Sequence, residues 1–186
     1  MIYRFSQLSE YKKWAKNRKI VCVTGCFDLL HDGHLAHIFE ASKLGGELVV
    51  GVVWDEFIRR FKGREPIHTQ YKRAKILAAL KPVSAVIMLS FVDKNNKLET
   101  SLHFLRHARP QVFFRRGYVK FYNTIKDFYL KEYGTRVVYS FSKKINSTSK
   151  MIAKAREIKR WAFLKFLPAL KIKYVPMVMG ITPRIV

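Results

Sequence analysis

The feature of this sequence that most constrains its fold is a repeated alternation of short apolar runs with amphipathic stretches. The runs are almost continuously apolar, which is typical of strands buried on both faces of a sheet. Strands that alternate with helices predict an α/β fold with a doubly wound parallel sheet covered by helices on both sides. The predicted strands are residues 20–24, 47–53, 84–89, 111–114 and 136–140.

Helical spacing and helix-stop signals place the amphipathic stretches between these strands. Gly45-Gly46 ends the first predicted helix and Gly134 ends the fourth, while Ser147 is suited to cap the last. Because ligands of such folds bind at the carboxyl ends of the strands, chemistry is expected in the loops that follow them. The predicted helices are residues 34–44, 69–80, 98–107, 120–133 and 147–160.

Composition indicates one globular domain and no membrane span. Of the 186 residues, 49% are hydrophobic, enough for a sizeable core. The longest stretch without an acidic or basic residue, 82–92, has eleven residues, whereas a spanning helix needs about 20. We find no secretory signal, and Cys22 and Cys26 form neither a metal pattern nor a disulfide framework. The sequence therefore predicts a cytoplasmic protein with a core domain, 1–158, and a C-terminal extension, 159–186.

The net charge of +23 predicts a polyanionic partner, either a nucleotide, a nucleic acid or an anionic lipid surface. The excess is uneven, since residues 133–186 contain twelve basic residues and one acidic residue. The extension 159–186 combines these charges with Trp, Phe and Leu, a composition that suits a peripheral contact with an anionic membrane. The same apolar residues could instead cover the core domain or a second copy of the chain, and we expect a homo-oligomer.

The segment Gly25–His34, with the sequence Gly-Cys-Phe-Asp-Leu-Leu-His-Asp-Gly-His, carries the clearest functional signal. It joins the first predicted strand to the first predicted helix, where an α/β sheet binds anions at the free N–H groups of the helix. Glycines at 25 and 33 allow a tight exit from the strand and a close approach to the helix. Imidazoles at 31 and 34 can donate hydrogen bonds to phosphate oxygens and stabilise charge in a transition state.

This segment resembles the signature of the cytidylyltransferase-like nucleotidyltransferases, and within them the heptose 1-phosphate adenylyltransferase branch is most similar. Further similarities are Gly51–Asp55, the Arg-Arg-Phe-Lys-Gly run at 59–63, which is expected to be a loop, and the Ser-Thr element at 147–148. Together they extend over residues 9–156. The resemblance implies a Rossmann-like nucleotidyltransferase fold.

The resemblance also implies a role for individual residues. His31, His34 and Lys62 would be catalytic, with the histidines acting at the α-phosphate and the lysine reaching the phosphates as a point charge. Mg²⁺ would accompany the triphosphate, with no dedicated protein ligand. The implied nucleotide-binding residues are Gly25, Cys26, Phe27, Asp28, Gly33, Arg115, Gly117, Ser147 and Thr148, and the implied substrate-binding residues are Asp55, Arg59 and Arg60.

Three departures from the family pattern concern recognition. The family's Lys-Gly-Gly-Asp-Tyr run appears here as 115–119, Arg-Arg-Gly-Tyr-Val, without the aspartate. Tyr71 replaces a frequent glutamate, and Thr24 replaces an asparagine. Because the phosphate-binding residues are kept, these changes suggest an altered substrate.

The expected function is therefore transfer of a nucleotidyl group, AMP by preference, from a nucleoside triphosphate to a sugar phosphate, with release of pyrophosphate. One alternative is a CTP-dependent cytidylyltransferase that acts on glycerol 3-phosphate or another polyol phosphate. Another is a non-catalytic basic module that binds nucleotide or RNA. The histidines together with Asp28, Lys62 and Ser147-Thr148 favour the enzyme, and nucleic acid is not the favoured partner.

Overall fold

A computed structural model describes residues 1–90, 104–116, 131–140 and 148–166, with side chains as far as residue 158. The chain divides into two compact units, Met1–Asn146 and Ser147–Val186. The first unit contains the sheet and the helices that cover it. The second contains one long helix, which continues past residue 158, where the sequence analysis placed the end of the core domain.

The first unit contains a parallel sheet, which confirms the predicted fold class. Its strands are β1 (Ile2–Tyr3), β2 (Ile20–Gly25), β3 (Glu47–Val52), β4 (Ala85–Met88), β5 (Val112–Arg116) and β6 (Arg136–Ser140). Among the described residues the sheet has six strands in the order β1-β4-β3-β2-β5-β6. From β2 the chain moves outward to β3 and β4 on one side, and β5 and β6 lie on the other. The order therefore reverses between β2 and β5, the point at which doubly wound sheets bind ligands.

Short helices follow most strands. A 3₁₀ turn at Phe5–Gln7 leads into the first α-helix, and residues 104–108 and 131–133 are also helical. The predictions for residues 98–103 and 120–130, and for the cap Ser147, lie outside the described residues. No helix in the described segments is long and apolar enough to cross a membrane. The α-helices are α1 (Leu8–Ala15), α2 (Asp32–Ser42), α3 (Asp55–Lys62), α4 (Gln70–Ala78) and, in the second unit, α5 (Thr148–Phe166).

Two apolar clusters hold the sheet between layers of helices. Alternate residues of each strand face opposite sides, so neighbouring residues of β5, Phe113 and Phe114, enter different clusters. The cluster with Phe113 also contains Tyr11 of α1 and Phe104. The cluster with Phe114 also contains Ile38 of α2 and Leu77 of α4. Burial on both faces explains why the strands are apolar throughout, as the sequence indicated.

The structure adds elements that the sequence did not predict. Residues 59–63 were interpreted as a loop, but most of them belong to α3. Acidic residues in the first turn, Asp55 and Glu56, and basic residues in the last turn match the helix dipole, and Gly63 ends the helix with φ of 62°. Strand β1 pairs two residues with β4 and is too short to show a period in the sequence.

Candidate active site at the carboxyl edge of the sheet

The loop from β2 to α2 lies at the switch point of the sheet and has a strained turn at Phe27. Phe27 has φ of 48°, a left-handed conformation that is uncommon for a residue other than glycine. Its buried ring lies 5.1 Å from the His34 ring, measured between centroids. A Cβ added to Gly25 would lie 2.9 Å from the Phe27 ring, so glycine is required there. The turn thus places an aromatic ring against His34, and such strain is typical of functional sites.

His31 caps the N-terminus of α2. Its Nδ1 atom accepts a hydrogen bond of 3.3 Å from the His34 backbone N–H, and its side chain is mostly buried. Asp32 Oδ1 lies 3.6 Å from the same Nδ1, which would favour protonation, but this carboxylate is half exposed and accepts from the Gly33 N–H at 2.8 Å. The cap interaction uses Nδ1 as an acceptor, so Nε2 is the ring nitrogen that would donate to a ligand.

The two predicted histidines stack on each other. The centroids of the His31 and His34 rings are 3.8 Å apart, with an angle of 21° between the ring planes. The pKa of His34 is lowered to about 4, chiefly by burial and also by the neighbouring His31 and Arg116, while a hydrogen bond with the Leu29 backbone acts in the opposite direction. At neutral pH this imidazole is uncharged and has a single N–H, which can donate to the Leu29 backbone or to a phosphate but not to both.

Arg116 approaches the same helix terminus from the end of β5, and the sequence analysis did not select it. A Cβ added to Gly33 would lie 3.1 Å from Arg116 Nη1 and 3.1 Å from the His31 ring. Gly33 therefore allows the guanidinium and the imidazole to meet at the first turn of α2. The two adjacent arginines were visible in the sequence, but the register of β5 decides which one faces α2.

His37 lies one turn further along α2, and sequence reasoning assigned it no role. Its ring is buried and stacks on Phe114 with a centroid distance of 4.9 Å. The pKa of His37 is lowered to about 4, chiefly by burial and also by Arg116, while Glu40 opposes the change. Two imidazoles near the arginine, those of His34 and His37, are thus uncharged at neutral pH.

Asp28 joins the β2–α2 loop to the segment between α3 and α4. Its carboxylate is buried and accepts hydrogen bonds from the backbone N–H groups of Ile67 at 2.9 Å and His68 at 3.0 Å, and from Arg64 Nη1. Burial alone would raise the pKa of Asp28, but the bonds from His68, Arg64 and Ile67 outweigh it and lower the pKa. The Asp28 carboxylate therefore accepts its hydrogen bonds from the protein itself, an arrangement that suits a residue that positions the β2–α2 loop.

Arg73 of α4 lies completely buried beneath the loop. Its Nη2 atom donates to Val53 O at 2.8 Å and to Asp55 Oδ1 at 2.7 Å. Its Nε atom donates to His68 O at 3.0 Å, and its Nη1 atom donates to the carbonyl of Cys26. One guanidinium thus connects the end of β3, the start of α3 and the phosphate loop. Asp55, predicted to bind substrate, is a partner of this group.

The basic residues of α3 are arranged differently from one another. Arg59 forms ion pairs of 3.0 Å with Glu65 and 3.3 Å with Glu56, and Arg60 pairs with Glu56 at 3.0 Å. Lys62 is exposed as the last residue of the helix, and its charge lowers the pKa of Cys26 against the larger raising effect of burial. The charge of Lys62 therefore acts on Cys26, in the loop between β2 and α2.

The remaining predicted residues are not brought to this place by the described structure. Arg115 lies on the opposite face of β5, with its guanidinium 5.4 Å from the centroid of the Phe113 ring. Gly117 and Ser147 lie outside the described residues. Thr148 is the first residue of α5 in the second unit.

No protein cage for a metal ion exists among the described side chains. Those side chains include no group of three or more His, Cys, Asp or Glu that could hold a metal. Asp28, the buried acid of the loop, already accepts three hydrogen bonds from the protein.

The fold and the site define a class of protein. A parallel sheet, a glycine-containing loop at its switch point and paired histidines at a helix N-terminus make a nucleotide-binding α/β domain of the nucleotidyltransferase type. The sequence profile described as Cytidylyltransferase-like matches residues 22–165. The chain belongs to the cytidylyltransferase-like family, as the motif predicted.

Similar proteins include enzymes of two kinds. The bifunctional protein HldE of Helicobacter hepaticus is 38% identical over 138 residues, which are 74% of this chain and 26% of that protein. The FAD synthase of Thermococcus sibiricus is 47% identical over 74 residues, 39% of this chain and 50% of that enzyme. The chain thus spans about a quarter of the HldE protein, with 26% of its length matched.

Two solved structures have the same fold. The lipopolysaccharide core biosynthesis protein of Thermoplasma volcanium has a TM-score of 0.55 and 26% identity, and the match covers 69% of this chain and all of that one. The pantoate-β-alanine ligase of Francisella tularensis has a TM-score of 0.58 over 77% of this chain and 67% of its own. At 14% identity, the second likeness concerns the fold alone.

Proposed function

We propose that this protein transfers AMP from ATP to a sugar phosphate and releases pyrophosphate. An oxygen of the acceptor phosphate attacks the α-phosphorus of the triphosphate. The bond from that phosphorus to the bridging oxygen breaks, and pyrophosphate leaves with the electron pair. No covalent enzyme intermediate is needed, so positioning and electrostatic stabilisation supply the catalysis. ATP and a sugar phosphate are favoured by the resemblance to the heptose 1-phosphate adenylyltransferases and by the similarity to HldE and to the lipopolysaccharide core biosynthesis protein.

The observation that carries the proposal is the pair of stacked imidazoles at the N-terminus of α2. His31 uses Nδ1 for the cap, so Nε2 is the nitrogen that would donate to a ligand, and His34 is held neutral by burial. Donors fixed by a cap and a ring stack lose little order on binding, and they strengthen their hydrogen bonds as negative charge develops on the phosphate. The positive end of the α2 dipole lies at the same place.

Other residues support this pair from a distance. Arg73 and Asp28 fix the loop that contains Gly25 and Cys26, while Lys62 is placed to approach the phosphates as a mobile point charge. A divalent cation, Mg²⁺ by preference, would enter with the triphosphate and take most of its ligands from phosphate oxygens and water. It would neutralise part of the phosphate charge. The proposed partners remain a nucleoside triphosphate and a small phosphorylated acceptor in the cytoplasm.

The test is pyrophosphate release with each of ATP, CTP, GTP and UTP against a panel of acceptors. The panel contains sugar 1-phosphates, glycerol 3-phosphate and FMN, which distinguishes sugar, polyol and flavin substrates. Turnover that requires ATP and a sugar phosphate supports the proposal. Turnover only with CTP and glycerol 3-phosphate indicates the cytidylyltransferase alternative. Tight RNA binding without any turnover would indicate the non-catalytic module.

The histidines are tested by variants that separate chemistry from folding. His31→Asn keeps a side chain that can cap α2 but loses the imidazole, and His34→Ala removes the second ring. We expect each to lower kcat by about 10²–10³-fold. His107→Ala is the matched control, because that histidine packs against Phe5. Normal kcat in both site variants would contradict the proposed role of the pair.

A further inference from the structure

Arg116 belongs to the run at 115–119, in which the sequence departs from the family pattern. The family pattern has no arginine at this position. It is the last residue of β5, directly beside β2 at the switch point. Because residues of a strand alternate between faces, it shares its side of the sheet with Phe114, which packs on His37 of α2. Strand register therefore directs this cation toward the proposed phosphate site.

Two of the three guanidinium nitrogen atoms of Arg116 lack a hydrogen-bond partner. Its Nε and Nη2 atoms are buried and have no hydrogen-bond partner in the structure, while Nη1 lies against Gly33. Nε and Nη2 form one edge of the guanidinium, the edge that binds two oxygens side by side. A buried donor edge without an acceptor is unfavourable, which indicates that a ligand completes it.

The surroundings of this edge suit an anion. The nearby side chains on α2 are His31, His34 and His37, two of which are held uncharged with Arg116 contributing to that effect. Two acids lie along this part of α2: Glu40 accepts a hydrogen bond from Ser140, and Asp32 accepts one from the Gly33 N–H. A ligand here would meet a cation, neutral donors and the positive end of a helix.

We propose that Arg116 is a substrate-binding residue that binds two oxygens of a substrate phosphoryl group through its Nε and Nη2 atoms. This inference rests on the proposed function and deepens it. The ligand chemistry is a phosphate with at least two free oxygens, and it has two possible sources. One is the β,γ-diphosphate part of the triphosphate, which leaves as pyrophosphate, and the other is the phosphate of the acceptor.

The experiment uses the full chain and compares Arg116→Gln and Arg116→Lys with the unchanged protein. Loss of a charge-assisted bidentate contact should raise one KM by about 10–100-fold in Arg116→Gln, and Arg116→Lys should recover only part of it. A rise in the KM for the triphosphate assigns the β,γ source, and a rise in the KM for the acceptor assigns the acceptor phosphate. Gly33→Ala, whose methyl group would press on Nη1, should raise the same KM. Arg18→Gln, which alters an exposed ion pair with Glu47, is the control.

A second measurement separates binding from folding. Without ligand, the thermal midpoint of Arg116→Gln should equal or exceed that of the unchanged protein, because a buried donor edge without a partner has been removed. A purely structural arginine would instead lower the midpoint. Unchanged KM values for both substrates in an active enzyme would overturn the inference and leave the proposed function standing.

A third measurement tests the anion site independently of the proposed function. If the unchanged protein released no pyrophosphate with any substrate, calorimetric binding of pyrophosphate and of inorganic phosphate would be compared in the two proteins. Weaker binding in Arg116→Gln would still support the anion site. Equal binding, or no binding to either protein, would overturn it.

Discussion

Replacement of Arg73 by methionine should cause the largest loss of stability among the polar residues described around the site. The side chain is completely buried and donates four hydrogen bonds, one to the carboxylate of Asp55 and three to backbone carbonyls. Methionine preserves much of the volume but none of the donors. Its carbonyl partners would remain in the protein interior without hydrogen bonds, and Asp55 would lose its cation.

The magnitude follows from these contacts. Removing one partner of a buried ion pair costs about 3–5 kcal/mol of the free energy of unfolding. The Asp55 side chain is 27% exposed, so water can partly replace its partner and the lower end of that range applies. A loss of about 3 kcal/mol corresponds to a decrease of about 6–12 °C in the thermal midpoint for a chain of this length.

The assay is urea unfolding followed by far-UV circular dichroism, with Arg18→Met as the matched control. Arg18 pairs with Glu47 at 3.0 Å but is 45% exposed, and such surface pairs contribute about 0–1 kcal/mol. Arg73→Lys, which keeps one cationic donor centre, should lie between the two. Equal losses for Arg73→Met and Arg18→Met would refute the reasoning, since burial would then have no effect on the cost. The loop held through the Cys26 carbonyl should also shift in Arg73→Met, so kcat should fall with stability.

Three further outcomes are expected. Lys62→Ala should raise the KM for the triphosphate or lower kcat without a change in thermal midpoint, because the side chain is exposed; unchanged kinetics with both ATP and CTP would reduce it to surface charge. The pKa of His37 is lowered from 6.5 to about 4, so its contribution to the free energy of unfolding is complete above pH 6.5 and is lost as the pH falls to 4. The loss amounts to about 3 kcal/mol. In urea unfolding, the free energy of unfolding of His37→Phe should therefore fall less over this pH range than that of the unchanged protein. Binding to anionic vesicles that weakens with salt and disappears on removal of residues 159–186 would support the predicted membrane contact, whereas equal binding by the truncated chain would contradict it.

The phosphate loop shows how much of the site could be predicted. Gly25, His31, Gly33 and His34 are neighbours in sequence, and their geometry follows from local rules for a strand, a tight turn and a helix cap. Their functional meaning also came from a motif that is continuous along the chain. The histidines were therefore selected correctly as a pair that the structure brings together, although their catalytic role stays a prediction.

Contacts between residues that lie far apart in the sequence escaped prediction. Arg73 reaches Cys26, 47 positions earlier, and Asp28 reaches His68, 40 positions later. No local pattern distinguishes a buried arginine on α4 from an exposed one, because helical spacing alone does not tell which polar residues have partners. The loop assigned to residues 59–63 was wrong for a related reason, since ion pairs and a glycine cap stabilise α3 while few of its residues are apolar.

By itself the sequence determined the parallel sheet, because strands buried on both faces must be apolar throughout and this leaves a visible pattern. It also determined the geometry of the Gly25–His34 segment, because helix capping and glycine turns depend on adjacent residues. Only the tertiary structure decided which of two adjacent arginines faces the site. That choice depends on the register in which β5 pairs with β2, Val21 opposite Val112 and Cys22 opposite Phe113. A shift of one residue in this pairing would send Arg116 to the other face, so its place is a property of the folded sheet.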